Sequence, residues 1–258
     1  MPQEPLNKEV EEHIQSAVEE AKQEVTASRR SWYHRRRIAL ILLGVYALQL
    51  TLFAVLAWWV HYHPILAIDV AITREFQENP APWLKIIMIV VSYPGSTFIL
   101  LALILLTAII FWVVDLRLEA LFVIGLSAVS EGLNVLLKIL VARPRPTRHL
   151  VEVFQAATGQ SFPSGHVMAY LAYWGLLFSF GIILFNGKSW WRILLLVVSA
   201  LFVVLIAPSR IYLGDHWATD VLGSYLIGGV LLGIALWLYL QLKQRGVLET
   251  KGARKRTF

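Results

Sequence analysis

The sequence contains no cysteine. That excludes disulfides, thiolate catalysis and Cys-ligated metals. Charge is scarce as well. Asp, Glu, Lys and Arg make up 16% of the 258 residues, and hydrophobic residues 57%. Soluble domains carry about 25% charged residues, so this composition fits an integral membrane protein. No carboxylate cluster suited to Mg²⁺ stands in the chain, and neither a metal nor another cofactor is expected. A cleavable signal peptide is not expected, because the first apolar run begins only at Ile38 and is too long for one. The net charge is +6, and where the cations stand matters more than its size. Arg29, Arg30 and Arg35–Arg37 precede the first apolar run, and Lys251, Arg254, Lys255 and Arg256 close the chain. Basic flanks of hydrophobic segments are topology signals far more often than nucleic-acid sites, so no nucleic-acid partner is expected.

Residues 1–37 form a polar amphipathic segment in which Val10, Ile14, Ala17, Val18, Ala21 and Val25 recur at helical spacing. Residues 38–240 hold six apolar runs: 38–60, 97–114, 120–138, 166–184, 193–207 and 219–240. Each is read as a span. Residues 241–258 are a basic tail. The stretch 84–93 is apolar but too short to span, ends at Pro94-Gly95, and reads as an interfacial or half-buried helix; 64–82 reads as a loop. The expected fold is all-α, a six-span transmembrane bundle with an N-terminal cytoplasmic juxtamembrane helix. An even number of spans puts both termini on one side, and their Arg and Lys residues mark that side as cytoplasmic. The segments 138–166 and 209–220 then fall on the external face, together with Arg143, Arg145, Arg148 and Arg210. These four arginines run against the positive-inside trend, and a functional demand for positive charge explains the exception.

The external segments carry chemistry. Lys138, Arg145 and Arg210 supply three cations, and clustered cations call for an anion; Arg in particular matches phosphate oxygens with a planar fork. Ser164-Gly165 precedes a span, where backbone N–H groups make a phosphate cradle. His166 and His216 each stand at the outer start of a span. Asp220 lies four residues after His216, so one helical turn brings its carboxylate to the imidazole. Asp215 is the competing partner, but adjacent residues on a helix face differently, which favours Asp220. This set is what phosphoryl transfer through histidine requires. Asn134 and Lys138 share a face with Glu131, so all three look into the bundle; Glu131 and Asn134 either support Lys138 or satisfy each other. Arg143 and Arg148 either steer an anionic substrate or contact headgroups. His61 and His63 read as interfacial caps, because an i, i+2 pair without carboxylates makes a poor metal site.

Three stretches resemble signatures of the type 2 phosphatidic acid phosphatase (PAP2) superfamily. Lys138, six residues, then Arg145-Pro146 matches the first; Pro163-Ser164-Gly165-His166 the second; and Ser209-Arg210, five residues, His216, three residues, Asp220 the third. The resemblance covers roughly residues 69–240. It implies an integral membrane lipid phosphatase of the cell membrane that needs no metal. It also implies roles: His216 takes the phosphoryl group as phosphohistidine, Asp220 orients it, and His166 protonates the leaving oxygen and then activates water. Lys138, Arg145, Ser164, Gly165 and Arg210 hold the phosphate oxygens. Undecaprenyl diphosphate, phosphatidylglycerol phosphate and phosphatidate are the substrates it suggests. A lipid phosphotransferase using the same site, and a non-catalytic binder of phospholipids, are the two rival classes.

Overall fold

A computed structural model describes residues 36–248 except 80, 156, 186 and 188. The amphipathic segment expected over residues 1–37 therefore lies almost entirely outside the described residues, as do residues 249–258 of the basic tail. By packing, the chain divides into two units, Met1–Leu48 and Gln49–Phe258. The site belongs to the second unit.

The described residues are helical, with no β-strand among them. In chain order the helices are α1 (Arg36–Tyr62), α2 (Ala67–Gln77), α3 (Pro82–Ser92), α4 (Thr97–Val113), α5 (Arg117–Val141), α6 (Gly165–Tyr170), α7 (Leu176–Ile183), α8 (Trp190–Tyr212) and α9 (Ala218–Gln244). A π turn, Leu171–Gly175, joins α6 to α7, so that Gly165–Ile183 is one continuous span. Among the described residues, five helices are long and apolar enough to cross a membrane. A sixth span results if α3 and α4 are one span bent by 56° at the 3-10 turn Tyr93–Gly95. The bend falls where Pro94 removes an amide donor and Gly95 loosens the backbone.

Two departures from the sequence expectation bear on the site. The segment 64–82, read as a loop, contains α2, whose Asp69 and Thr73 are fully buried. They lie i, i+4 on the face that packs against α8 and α9. The hydrophobic pattern missed it because polar residues occupy its buried stripe. Helix α8 runs through Pro208 to Tyr212 instead of stopping at Ala207, which places Ser209 and Arg210 in its last turn.

Within the second unit the most buried span is Gly165–Ile183, 56% of whose apolar window is inside the protein. It packs against α5, α8 and α9. Val167, Tyr170, Ile206, Ile211 and Val221 form the apolar layer beneath the site. Leu126, Leu176, Phe180 and Tyr239 fill the other end. Phe162 closes a third cluster with Phe53, Val60 and Val141. Helix α5 ends because Ala142 adopts a left-handed conformation (φ 52°) and donates back to the Lys138 carbonyl at 2.9 Å. Pro144 and Pro146 then prevent any continuation. His61 caps this end, its Nδ1 lying 2.9 Å from the Val141 carbonyl, and His63 stacks on Trp59; both agree with the capping role read from the sequence.

Candidate active site

One cavity of about 760 Å³ gathers Lys138 from the end of α5, Arg145 from the segment after it, His166 from α6, Arg210 from α8 and His216 from the α8–α9 turn. Gly165 and Asn134 also line it. Below this cationic head the cavity continues between α4 and α5 along Leu100, Leu101, Ile104, Leu105 and Ile124. A charged head and an apolar stem in one space match an amphiphile.

The orientation of His216 follows from its neighbours. Nη1 of Arg145 lies 3.3 Å from Nε2 of His216. A guanidinium can only donate, so Nε2 is the bare, accepting nitrogen and Nδ1 carries the ring proton. Nδ1 faces Ser161 Oγ at 3.4 Å, and the Ser161 hydroxyl in turn donates to Oδ2 of Asp220. The direct Nδ1 to Asp220 Oδ2 separation is 3.6 Å, beyond a hydrogen bond. Asp220 thus reaches His216 mainly through Ser161. That serine carried no sequence signal of its own, since the second signature begins two residues later. Asp220 also accepts from the Trp217 amide at 2.9 Å, which anchors it in the first turn of α9. Burial pushes the His216 imidazole down to about 3, a shift that the Asp220 carboxylate only partly opposes. The ring is therefore neutral and nucleophilic at ordinary pH.

Backbone carbonyls hold Lys138 and Arg145. Lys138 Nζ donates to the Gln160 carbonyl at 2.6 Å. Arg145 donates from Nε to the carbonyls of Thr158 and Gly159, both at 3.2 Å, and from Nη1 to that of Asp215 at 2.8 Å. Arg145 has a pKa below its ordinary value because of burial, which nearby Asp215 counteracts. Arg210 is buried, hydrogen-bonded to Ser92 and ion-paired with Asp215. Asp215 is thus the partner of Arg210 and not of His216; its pKa is raised by burial and pulled back by Arg210.

Ser164 and Gly165 differ in placement. Gly165 lines the cavity. Ser164 is fully buried, its amide donates to Ser224 Oγ at 2.7 Å, and its own hydroxyl has no hydrogen-bond partner. Asn134 turns to the Pro163 carbonyl at 3.2 Å and supports the second signature, while Glu131 lines the cavity alongside Ser127. Arg143 departs most from expectation. It neither steers substrate nor contacts headgroups: it is 1% exposed, with ion pairs to Asp220 at 2.5 Å and Asp69 at 2.7 Å. Its partner Asp69 had been read into a loop, so no sequence pattern linked the two.

Two glycines make the geometry possible. A Cβ on Gly95 would stand 2.5 Å from His166 Cδ2 and 2.7 Å from Tyr170 Cε2, so the α3–α4 bend can press against His166 only with glycine there. Gly214 has φ +71°, and a Cβ would lie 2.1 Å from the Glu152 carbonyl oxygen. Among the described residues, no group of three or more His, Asp or Glu side chains converges to hold a metal ion.

Fold and cavity together define an α-helical membrane phosphatase. The profile of the PAP2 superfamily matches residues 117–244, from α5 through α9, and the chain belongs to this superfamily. It is 28% identical over 177 residues to phosphatidylglycerophosphatase B of Bacillus subtilis, covering 68% of this chain and 85% of that protein. Phosphatidylglycerophosphatase B of Escherichia coli is 33% identical over 111 residues, 42% of this chain and 41% of that one. The crystal structure of a transmembrane PAP2 type phosphatidylglycerolphosphate phosphatase from Bacillus subtilis superposes with a TM-score of 0.66 at 25% identity, over 76% of this chain and 96% of that chain.

Proposed function

We propose that the protein hydrolyses a lipid phosphate or diphosphate at the external membrane face through a phosphohistidine on His216. One observation carries this reading: the bare Nε2 of His216 opens into a cavity whose head holds Lys138, Arg145 and Arg210 and whose stem is apolar. A phosphate in the head meets three cations and the first amides of α6. Nε2 attacks phosphorus, and the bond from phosphorus to the lipid oxygen breaks. His166 gives that oxygen its proton. The positive charge gained by His216 is balanced by Asp220 through Ser161. Water then attacks the phosphohistidine, His166 takes its proton, and inorganic phosphate leaves with Nε2 restored. The names of the relatives favour phosphatidylglycerol phosphate as substrate; undecaprenyl diphosphate and phosphatidate fit the same head and stem.

Phosphate release from a panel of prenyl and glyceryl lipid phosphates, with His216→Ala as control, tests this directly. Release by the unmodified protein and none by the variant is expected; release from no lipid would leave only a phospholipid binder. In ¹⁸O-labelled water, hydrolysis puts one labelled oxygen into the inorganic phosphate; phosphate recovered unlabelled on an alcohol acceptor, in place of inorganic phosphate, would indicate transfer. Chelators should not inhibit, and Mg²⁺-reversible loss of activity would contradict the assignment. A C-terminal tag should be inaccessible from outside intact cells; external labelling would overturn the topology.

A further inference from the structure

Arg143 is almost completely buried, and it does not line the cavity. Trp217 stands beside it, with the guanidinium 5.9 Å from the ring centroid. All three of its nitrogens donate inward: Nε to the Pro64 carbonyl at 2.9 Å, Nη1 to Asp220 Oδ1 at 2.5 Å and Thr219 Oγ1 at 2.7 Å, Nη2 to Asp69 Oδ2 at 2.7 Å. Asp69 is itself fully buried and accepts from the Thr219 amide at 2.9 Å and hydroxyl at 2.7 Å. Two carboxylates therefore share one guanidinium, on the side of Asp220 opposite Ser161 and His216.

We infer that Arg143 and Asp69 are positioning residues, which aim Asp220 at Ser161 and His216 and keep its negative charge available to the imidazole. The reasoning is electrostatic. A single Arg–Asp pair would neutralise Asp220, because a buried guanidinium with no other acceptor turns wholly to its one carboxylate. Asp69 draws Nη2 and the Thr219 hydroxyl away from Asp220. The triad Asp69–Arg143–Asp220 then keeps one net negative charge, and Oδ2, the oxygen not held by Arg143, is the one that accepts from Ser161. As His216 gains positive charge on forming the N–P bond, that charge is stabilised at no further desolvation cost. Asp69 reaches the site from α2, Arg143 from beyond α5 and Asp220 from α9, so three separate elements fix one carboxylate.

The inference rests on His216 as the attacking group, so its test has two readouts. In Asp69→Asn the contact to the Thr219 amide can persist, and kcat should fall about 5- to 20-fold while KM stays within twofold. Arg143→Met should fall further, and Arg143→Lys should recover part of the loss. Unchanged kcat, a rise in KM alone, or a loss that merely follows the folded fraction in thermal unfolding would overturn the assignment. The second readout needs no substrate. The His216 Nδ1 proton resonance should move upfield in Asp69→Asn in detergent; an unmoved resonance would overturn the inference even in active protein. Absence of phosphate release by the unmodified protein, with that resonance shifting as expected, would instead sink only the proposed reaction.

Discussion

Helix α9 is anchored near both ends by a buried carboxylate, Asp220 at one and Glu119 of α5 at the other, and the two ends are not equivalent. At the far end Glu119 accepts from the Tyr239 hydroxyl at 2.6 Å and Lys243 Nζ at 2.8 Å, and Lys243 also reaches the Tyr239 hydroxyl at 2.7 Å. Glu119 is 3% exposed there, and the ring of its partner Tyr239 packs against Phe122 and Phe180. At the site end Asp220 is as deeply buried, yet its partners lead on to an imidazole whose second nitrogen opens into a cavity. Buried charge therefore does not by itself mark a site. One end closes on itself as a structural tie, while the other ends in an imidazole nitrogen that accepts from Arg145 and opens into a cavity lined by Lys138, Arg145 and Arg210.

Variants can break this contrast. The largest effect belongs to the site end: His216→Ala should lower phosphate release by at least about 10³-fold with the fold intact, because the nucleophile is gone. His166→Ala should cost about 10²–10⁴-fold, the usual range for a general acid and base. Gly95→Ala comes next. Its methyl group would displace His166, and a shift of about 1 Å at a reacting group can cost about 10²-fold. Specific activity should fall while thermal unfolding changes little. At the far end Glu119→Gln should do the reverse: stability falls by about 1–3 kcal/mol through weakened charged hydrogen bonds, and kcat per folded molecule is unchanged. A loss of kcat in Glu119→Gln would erase the distinction between the ends.

The pH dependence sharpens the same contrast. Burial holds His216 at about 3, below the 6.5 of an unperturbed imidazole. As pH falls, the unfolded chain therefore takes up this proton first. The stabilising contribution is complete above about pH 6.5 and declines as pH falls toward 3. His216→Asn should flatten this part of the unfolding profile, whereas Glu119→Gln should leave it in place.

The six apolar runs, the helical class and the three signatures were legible because each is a local pattern: a run long enough to span, or residues at fixed spacing. The network behind them was not. Asp69 and Arg143 are 74 positions apart, and their pair forms at 2.7 Å only once α2 has folded against α8 and α9. Ser161 joins His216 to Asp220 from a segment 55 and 59 residues away. The constraint on Gly95 likewise comes from His166 and Tyr170, on another helix. What escaped the sequence was long-range and polar, where neither hydrophobic periodicity nor motif spacing carries a signal. Asp215 shows the opposite case: it adjoins His216 in sequence, yet its partner is Arg210, one turn back in α8.

The central claim is that His216 is covalently phosphorylated. The most direct measurement mixes the purified protein with ³²P-labelled lipid phosphate, quenches at alkaline pH within one turnover, and maps the label by mass spectrometry. An acid-labile, alkali-stable phosphate on His216, absent from His216→Asn, is the expected result. Turnover of the same lipid with no label on His216 at any quench time would contradict the claim.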